Sequence, residues 1–143
     1  MDGLSAVTAA LAVIQTAWQA YDLCRTYYSE VKEARSDIQH LREEMVSLET
    51  ILISISDLAQ NPDSGISSRI DHLAQKDGPL QQCQELLEKL VVKLNIGDGK
   101  NGMRKFGMRA LKWPLSSKDI EKLLTSIDRH KATFSVALIA DSL

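Results

Sequence analysis

The chain has 143 residues, 44% of them hydrophobic and 25% charged, and its 17 basic and 19 acidic side chains give a formal net charge of −2. That length suffices for one domain with a core that needs no disulfide or metal for stability. The charge balance gives no general attraction for nucleic acid. Two cysteines without CxxC spacing argue against a secreted disulfide framework, so we expect a reducing compartment, the cytoplasm.

The segment from Gly3 to Tyr21 contains no charged residue. A secretory signal needs a basic start, and Asp2 is the only charge before Leu4, so we do not expect a signal peptide. As a helix the segment would be about 28 Å long, close to the thickness of a bilayer core. Its Ser, Thr and Gln side chains make it only weakly hydrophobic, so we predict a core helix of a soluble bundle rather than a permanent membrane span. Such a helix could also be released from the bundle into a membrane.

The large apolar residues of this first helix recur at alternating steps of three and four, as in the buried stripe of a bundle helix. They are Leu4, Val7, Leu11, Ile14, Trp18 and Tyr21. Thr8, Ala12, Thr16 and Ala20 form a second stripe of small residues, which permits close helix approach. We therefore expect the stripe of large residues to face the core.

No Pro or Gly occurs between Gly3 and Pro62, yet a single helix of that length could not cover its own apolar stripe in a lone chain. We expect a turn, with Thr26 and Ser29 as the available N-caps and with the second helix starting at Glu30. The predicted apolar stripe of the second helix is Val31, Ala34, Ile38, Leu41, Met45, Leu48, Leu52, Ile55 and Ala59.

The C-terminal half holds a short helical piece within residues 66–76 and two further long helices. The first of these begins with Asp77 as N-cap candidate and Pro79 in its first turn, and the second follows a capping box between Ser116 and Asp119. Their apolar stripes are Leu80, Cys83, Leu87, Leu90 and Leu94, and then Ile120, Leu123, Ile127, His130, Phe134 and Ala137. No strand pattern occurs. The sequence predicts an all-α fold, a single domain over residues 1–143 with a bundle of four long helices plus short connecting helices.

The sequence offers no catalytic or metal-binding arrangement. The three histidines are His40, His72 and His130. They fall on three different helices without HxxxH or ExxH spacing. Cys83 lies on an apolar stripe, and neither cysteine has the neighbours of a nucleophile. Lys100 precedes Asn101, so it does not complete a phosphate-binding loop. Tyr27 and Tyr28 have no basic patch around them in the sequence and are expected to pack. We predict a non-enzymatic domain without a cofactor or metal.

Residues 97–112 carry five basic side chains and one acidic side chain, a strong local imbalance of charge. Met103, Phe106, Ala110 and Trp113 share one helical face. The basic residues Arg104, Lys105, Arg109 and Lys112 lie largely on the other face. Cations opposite aromatic side chains suit an anionic membrane surface, and the same pattern fits a bundle helix whose outer face is merely basic. Both interpretations stay open, and we expect no nucleic-acid partner.

Four stretches of the chain resemble one known family. They are MDGLSAVTAALAVIQ, VKEARSDIQHLREEMVSLETIL, GPLQQCQELLEKL and ALKWPLSSKDIEKLLTSIDRHKATFSVAL. Together they are similar to the fungal HeLo-like N-terminal domain of STAND (NLR-like) proteins, also known as the N-terminal domain of an azaphilone pigment cluster protein. The resemblance covers essentially the whole chain and is strongest from Leu111 to Ser135. It implies a HeLo-like helical bundle at the N-terminus of a larger protein, ahead of NACHT or other NTPase modules and ankyrin-type repeats.

The resemblance also implies a function. The implied bundle is distantly similar to the HeLo domain of a fungal incompatibility protein and to the four-helix domain of the necroptosis executioner. In those relatives, activation by a C-terminal sensor exposes the N-terminal helix, which targets membranes and kills the cell. Some members carry a glycine zipper in that helix, whereas this chain has Ala, Ser and Thr beyond Gly3, so pore formation is not implied. We expect an effector domain of regulated cell death that oligomerises on activation and is recruited to anionic lipid of the plasma membrane. The residues expected to insert or self-associate are Leu4, Val7, Leu11, Ile14 and Trp18. The alternative is a closed adaptor that binds other helical signalling domains.

Overall fold

The computed structural model describes residues 3–60, 68–97 and 112–142, with the side chains of residues 6–60, 70–95 and 112–139. Five helices lie in these ranges: α1 (Gly3–Glu30), α2 (Arg35–Gln60), α3 (Ser68–Leu73), α4 (Pro79–Gly97) and α5 (Ser117–Ser142). The same ranges contain no strand. The predicted all-α fold, with four long helices and a short connecting one, is confirmed.

The four long helices form a ring. Helix α1 packs between α2 and α4, and α5 closes the ring by packing against the same two helices from the other side. The interface of α1 with α2 is the largest, whereas α4 and α5 touch over a short length only. The short α3 lies against α1 and α5. The α1/α2 side and the α4/α5 side are therefore opposite sides of the bundle.

The predicted apolar stripes of α2 and α4 are confirmed, because their members within the two helices are all buried. Each of these helices has one apolar face and a charged outer face, which makes the buried side readable from periodicity alone. In α5 the same holds for Ile120, Ile127, Phe134 and Ala137, while Leu123 and His130 are half-buried. In α3, Ile70 and Leu73 are buried as expected.

The predicted core stripe of α1 is wrong for its largest members. Leu11 is 50% exposed and Trp18 is 49% exposed, and Ile14 and Tyr21 are only partly buried. The buried face consists mainly of small residues: Ala6, Val7, Ala10, Val13, Thr16, Ala17, Ala20 and Cys24. Because α2 and α4 both pack against this face, small side chains let their backbones come close, and the large side chains are displaced to the outside.

The turn between the first two helices lies later than predicted. Thr26 and Ser29 sit inside α1, where their hydroxyls donate to the carbonyls four residues earlier rather than capping a new helix. The connection spans residues 31–34, with Val31 buried and Ala34 in the left-handed region at φ 60°. The carbonyl of Ala34 accepts from Ile38 N–H at 3.0 Å, so Ala34 is the residue that opens α2.

The predicted helix starts are confirmed for α5 and shifted by one residue for α4. Ser116 Oγ accepts from the Asp119 N–H and Asp119 Oδ2 accepts from the Ser116 N–H, both at 3.1 Å, which is a reciprocal capping box. Pro79 is the first residue of α4, but Gly78, not Asp77, precedes it as the cap. A Cβ at Gly78 would lie 2.8 Å from the Gln75 carbonyl oxygen, so this turn accepts only glycine.

Candidate functional site

Part of the site predicted from the sequence lies outside the described residues. This applies to Arg104, Lys105 and Arg109 and to the side chain of Leu4, while Lys112 is described and exposed. The expected basic face therefore stays a prediction. The candidate site that the structure does describe lies on α1 and on the helix beside it.

The outward face of α1 carries no charge over three turns. Its exposed residues from position 8 to position 19 are Thr8, Leu11, Ala12, Gln15, Trp18 and Gln19. Charged side chains begin only with Asp22 and Arg25, which approach each other at 3.7 Å. Burial explains the missing charge on the inner face of α1, but it does not explain it on this outer face. The outer face of α1 therefore lacks the charged side chains that the outer faces of α2 and α4 carry.

Helices α1 and α2 run antiparallel in a register that three facing pairs define. Arg35 lies 4.8 Å from the centre of the Tyr28 ring, Arg42 lies 5.2 Å from that of Tyr21, and Trp18 shares a small cleft with Val46. Moving two further turns along both helices in this register brings Leu11 opposite Ile53. The exposed fractions of Val46 and Ile53 are 48% and 44%.

These four residues, Leu11, Trp18, Val46 and Ile53, form what we call the α1/α2 patch. Acidic side chains border it on the α2 side: Glu49 lines the cleft with Trp18, and Glu43 lines a neighbouring cleft with Val46. Asp57 is exposed one turn beyond Ile53. The patch is therefore apolar with an acidic edge.

A row of stacked arginine and tyrosine side chains continues from the patch toward the end of α1. The Arg42 guanidinium lies 5.2 Å from the centres of both the Tyr21 and the Tyr28 ring, and its Nη2 donates to the Tyr21 hydroxyl at 3.2 Å. Trp18 meets Tyr21 edge-on at 5.7 Å. The prediction that Tyr27 and Tyr28 pack is confirmed, because Tyr27 is buried and Tyr28 is partly buried against the core. Tyr28 also has two basic neighbours that are distant in the sequence, since Arg35 and Arg42 come from the next helix. These contacts hold the aromatic edge of the patch in a fixed orientation.

Helix α1 is tied to α4 by one buried and one partly buried hydrogen bond as well as by its apolar face. The Tyr27 hydroxyl donates to the Leu94 carbonyl at 2.6 Å, and Gln84 Nε2 donates to Thr16 Oγ1 at 2.9 Å. Trp113, from the segment before α5, packs edge-on against the Tyr27 ring at 5.0 Å. Within the described structure α1 is thus a firmly docked helix.

The opposite side of the bundle has a groove between α4 and α5, which we call the α4/α5 groove. Its volume is about 250 Å³, and its walls include Leu86, Leu90, Leu115 and Leu123. Its ionisable lining residues are Lys89, Lys93, Lys122 and Asp119. Asp119 already accepts hydrogen bonds from Ser116, which lower the pKa of its carboxyl. The groove is therefore apolar with a basic rim.

The described residues contain no cluster of His, Cys, Asp and Glu that could hold a metal ion. Burial raises the pKa of the Cys24 thiol and of the Cys83 thiol to about 12, so both stay protonated at neutral pH and behave as small apolar groups. Burial and the nearby Arg129 lower the pKa of His130. None of these groups adjoins the α1/α2 patch in an arrangement for acid–base or nucleophilic chemistry.

No helix in the described ranges is both long enough and apolar enough to cross a bilayer. Comparisons with curated proteins and with solved structures find no match to the chain. A family model described as the N-terminal region of the pigment biosynthesis cluster protein PigL matches residues 1–143. This match agrees with the resemblance to a pigment cluster N-terminal domain and covers every residue of the sequence. The chain belongs to the family of PigL N-terminal domains.

Proposed function

We propose that this domain is a non-enzymatic signalling module that acts by associating with further copies of itself through the α1/α2 patch. The observation that carries the proposal is the position of Trp18 and Leu11. Both are large apolar side chains of α1, and both stand half exposed beside Val46 and Ile53, on an outer face of α1 that carries no charge. Single exposed apolar residues are ordinary, but several that form one patch are typical of a protein contact.

The tight docking of α1 favours contacts made by the closed bundle. The hydrogen bonds of Tyr27 and Thr16 to α4 would have to break before the inner face of α1 could reach a partner. The outer face is available without that step. Trp is also the residue type most enriched at the energetic centres of protein interfaces.

The apolar area of the α1/α2 patch is small, so we expect a weak contact. The patch offers only four large apolar side chains, each about half exposed, so the apolar surface that it can bury is small. Association also costs translational and rotational freedom, which this burial must offset. Isolated domains should therefore associate weakly. Attached domains that cluster would raise the local concentration to about 1 mM or above and so strengthen the association. This is how a receptor of the STAND (NLR-like) class would use such a module to trigger cell death in the cytoplasm.

Analytical ultracentrifugation over a concentration series up to the millimolar range tests the proposal. We expect the sedimentation coefficient to rise with concentration for the wild-type chain and to stay constant for the L11S/W18S variant. Val136→Ser is the matched control, because Val136 is also an exposed apolar residue, 54% exposed, but lies on α5. A wild-type chain that stays monomeric throughout, or an L11S/W18S variant that associates like wild type, would refute the proposal.

Membrane recruitment is the second candidate, and the uncharged outer face of α1 favours it as well. An exposed Trp next to apolar residues suits the interface of a bilayer, and the basic residues Arg104, Lys105, Arg109 and Lys112 would bind anionic headgroups. Sedimentation with vesicles that contain phosphatidylserine tests this candidate. Binding that is lost when these four residues are changed to Glu would support it, and equal binding by variant and wild type would remove the basic segment from the mechanism.

A further inference from the structure

We infer that copies of this domain associate head-to-tail, with the α1/α2 patch of one copy docked on the α4/α5 groove of the next. The inference rests on the proposed self-association and names the surface that the patch contacts. Three features of the described structure carry it: the charges of the two surfaces, their shapes and their positions on the bundle.

The two surfaces are complementary in charge. The ionisable residues that line the groove are three lysines and one aspartate: Lys89, Lys93, Lys122 and Asp119. The patch is bordered by the carboxylates of Glu43 and Glu49, with Asp57 beyond them. Arg42 also lies at that border, but its guanidinium is engaged by Tyr21, Tyr28 and Gln39. Opposite potentials across an interface raise the rate of encounter and disfavour wrong pairings.

The two surfaces also match in shape and polarity. The patch presents half-exposed large side chains, Trp18 foremost, whereas the groove is a depression of about 250 Å³ with leucine walls. Because α4 and α5 touch over a short length only, this depression stays open between them. Seating Trp18 against the partly buried Leu86 and Leu123 would bury apolar surface on both copies at once.

Pairing of the patch with itself is less favourable. A two-fold dimer that lays α1 of one copy on α2 of the other gives Glu43 and Glu49 no basic partner, because the outer face of α1 carries no charge there. A two-fold dimer that lays α2 on α2 brings the two acidic borders together. Like charges at an interface destabilise it. The patch and the groove lie on opposite sides of the helix ring, so patch-to-groove contacts leave both end copies with one free surface. Such heterologous contacts build chains or rings rather than closed dimers.

A mixing experiment separates this arrangement from the alternatives. The groove variant K89E/K93E/K122E keeps the patch, and the patch variant L11S/W18S keeps the groove. All five residues are exposed, so both variants should keep the wild-type melting temperature within a few degrees. We expect each variant alone to be monomeric under conditions where the wild-type chain assembles. We expect their mixture to form a one-to-one heterodimer that grows no further, because only one intact patch and one intact groove can meet.

Two controls sharpen the result. Changing Lys32, Lys76 and Arg129 to Glu alters the net charge by the same amount at exposed sites outside the groove, and this variant should assemble like wild type. Adding E43K/E49K to the groove variant exchanges the charges of the two surfaces within one chain and should restore assembly. Every chain or mixture that assembles should assemble less as the salt concentration is raised, because the pairs of lysine and carboxylate lie at the exposed rim of the contact.

The outcomes distinguish this inference from the proposed function. If the groove variant assembles as well as wild type while the patch variant does not, the patch acts without the groove and the head-to-tail arrangement is wrong. If the two monomeric variants do not form a heterodimer when mixed, the arrangement is equally wrong. If the wild-type chain never assembles, the proposed function itself fails.

Discussion

The Tyr27 hydroxyl ties the C-terminal end of α1 to α4, and Tyr27→Phe removes this contact while leaving the ring in place. The oxygen lies 2.6 Å from the Leu94 carbonyl oxygen in a fully buried environment. Losing one partner of a buried hydrogen bond costs about 1–3 kcal/mol. The ring still packs against Trp113 at 5.0 Å, so no cavity forms and the loss should stay near the middle of that range, about 1.5–2 kcal/mol.

Urea unfolding followed by far-ultraviolet circular dichroism measures this loss as a shift in midpoint at unchanged slope. The matched control is Tyr28→Phe, because the Tyr28 ring keeps its stacking with Arg35 and Arg42 without its hydroxyl. Within the described chain that hydroxyl makes no hydrogen bond, so the control should lose less than about 0.5 kcal/mol. A Tyr27→Phe variant as stable as this control would refute the view that α1 is held closed by a polar contact to α4.

Three further predictions follow from burial and capping. Trp18→Ala should lower the free energy of unfolding by about 1–2 kcal/mol, well below the ~3–5 kcal/mol of a buried tryptophan, and a loss within the latter range would place Trp18 in the core. Thr8→Lys should melt like wild type, whereas Thr16→Lys should lose more than about 2 kcal/mol, because Thr16 is 7% exposed and Thr8 is exposed. Equal melting temperatures for these two variants would contradict the orientation of α1. Ser116→Ala should lower the free energy of unfolding by about 1 kcal/mol, because it removes the N-cap hydroxyl of α5. The hydrogen bond from the Ser116 backbone N–H is the main cause of the lowered pKa of Asp119, and the Ser116 hydroxyl is the second cause. The contribution of Asp119 is present above its unfolded pKa and fades as pH falls through its folded pKa, so Ser116→Ala, which keeps the backbone N–H, should flatten the acid limb of the stability profile only in part.

The sequence predicted the helices that have one apolar and one charged face. In α2 and α4 the contrast between leucine and glutamate or lysine marks the buried side, and the structure confirms it. Helix α1 lacks that contrast, because none of its residues from Gly3 to Gln19 is charged on either face. Side-chain size then replaces charge as the guide, and size points to the wrong face when two neighbouring helices approach closely over alanine.

The rest of the candidate site depends on pairing between segments that are distant along the chain. The stacking of Arg42 between Tyr21 and Tyr28 requires the antiparallel register of α1 and α2, which is set by a connection at residues 31–34 without Gly or Pro. Placing the turn five residues too early shifts every facing pair. The α4/α5 groove exists because α4 and α5 touch over a short length only, and no local sequence pattern predicts how far two helices are in contact. A signal was nevertheless present in the sequence, because Leu11 and Trp18 share the seven-residue spacing of Val46 and Ile53.

Fluorescence quenching of Trp18 tests the central proposal, an exposed α1 face that becomes a contact between copies, most directly. In a Trp113→Phe variant, Trp18 is the only tryptophan, so acrylamide quenching reports its accessibility alone. We predict that acrylamide quenches Trp18 readily in dilute solution and that quenching decreases as the concentration of the chain rises. When Lys89, Lys93 and Lys122 are changed to Glu, we predict that quenching stays the same at all concentrations. A Trp18 that is shielded even in dilute solution, or one that is quenched equally in the assembled state, would contradict the proposal.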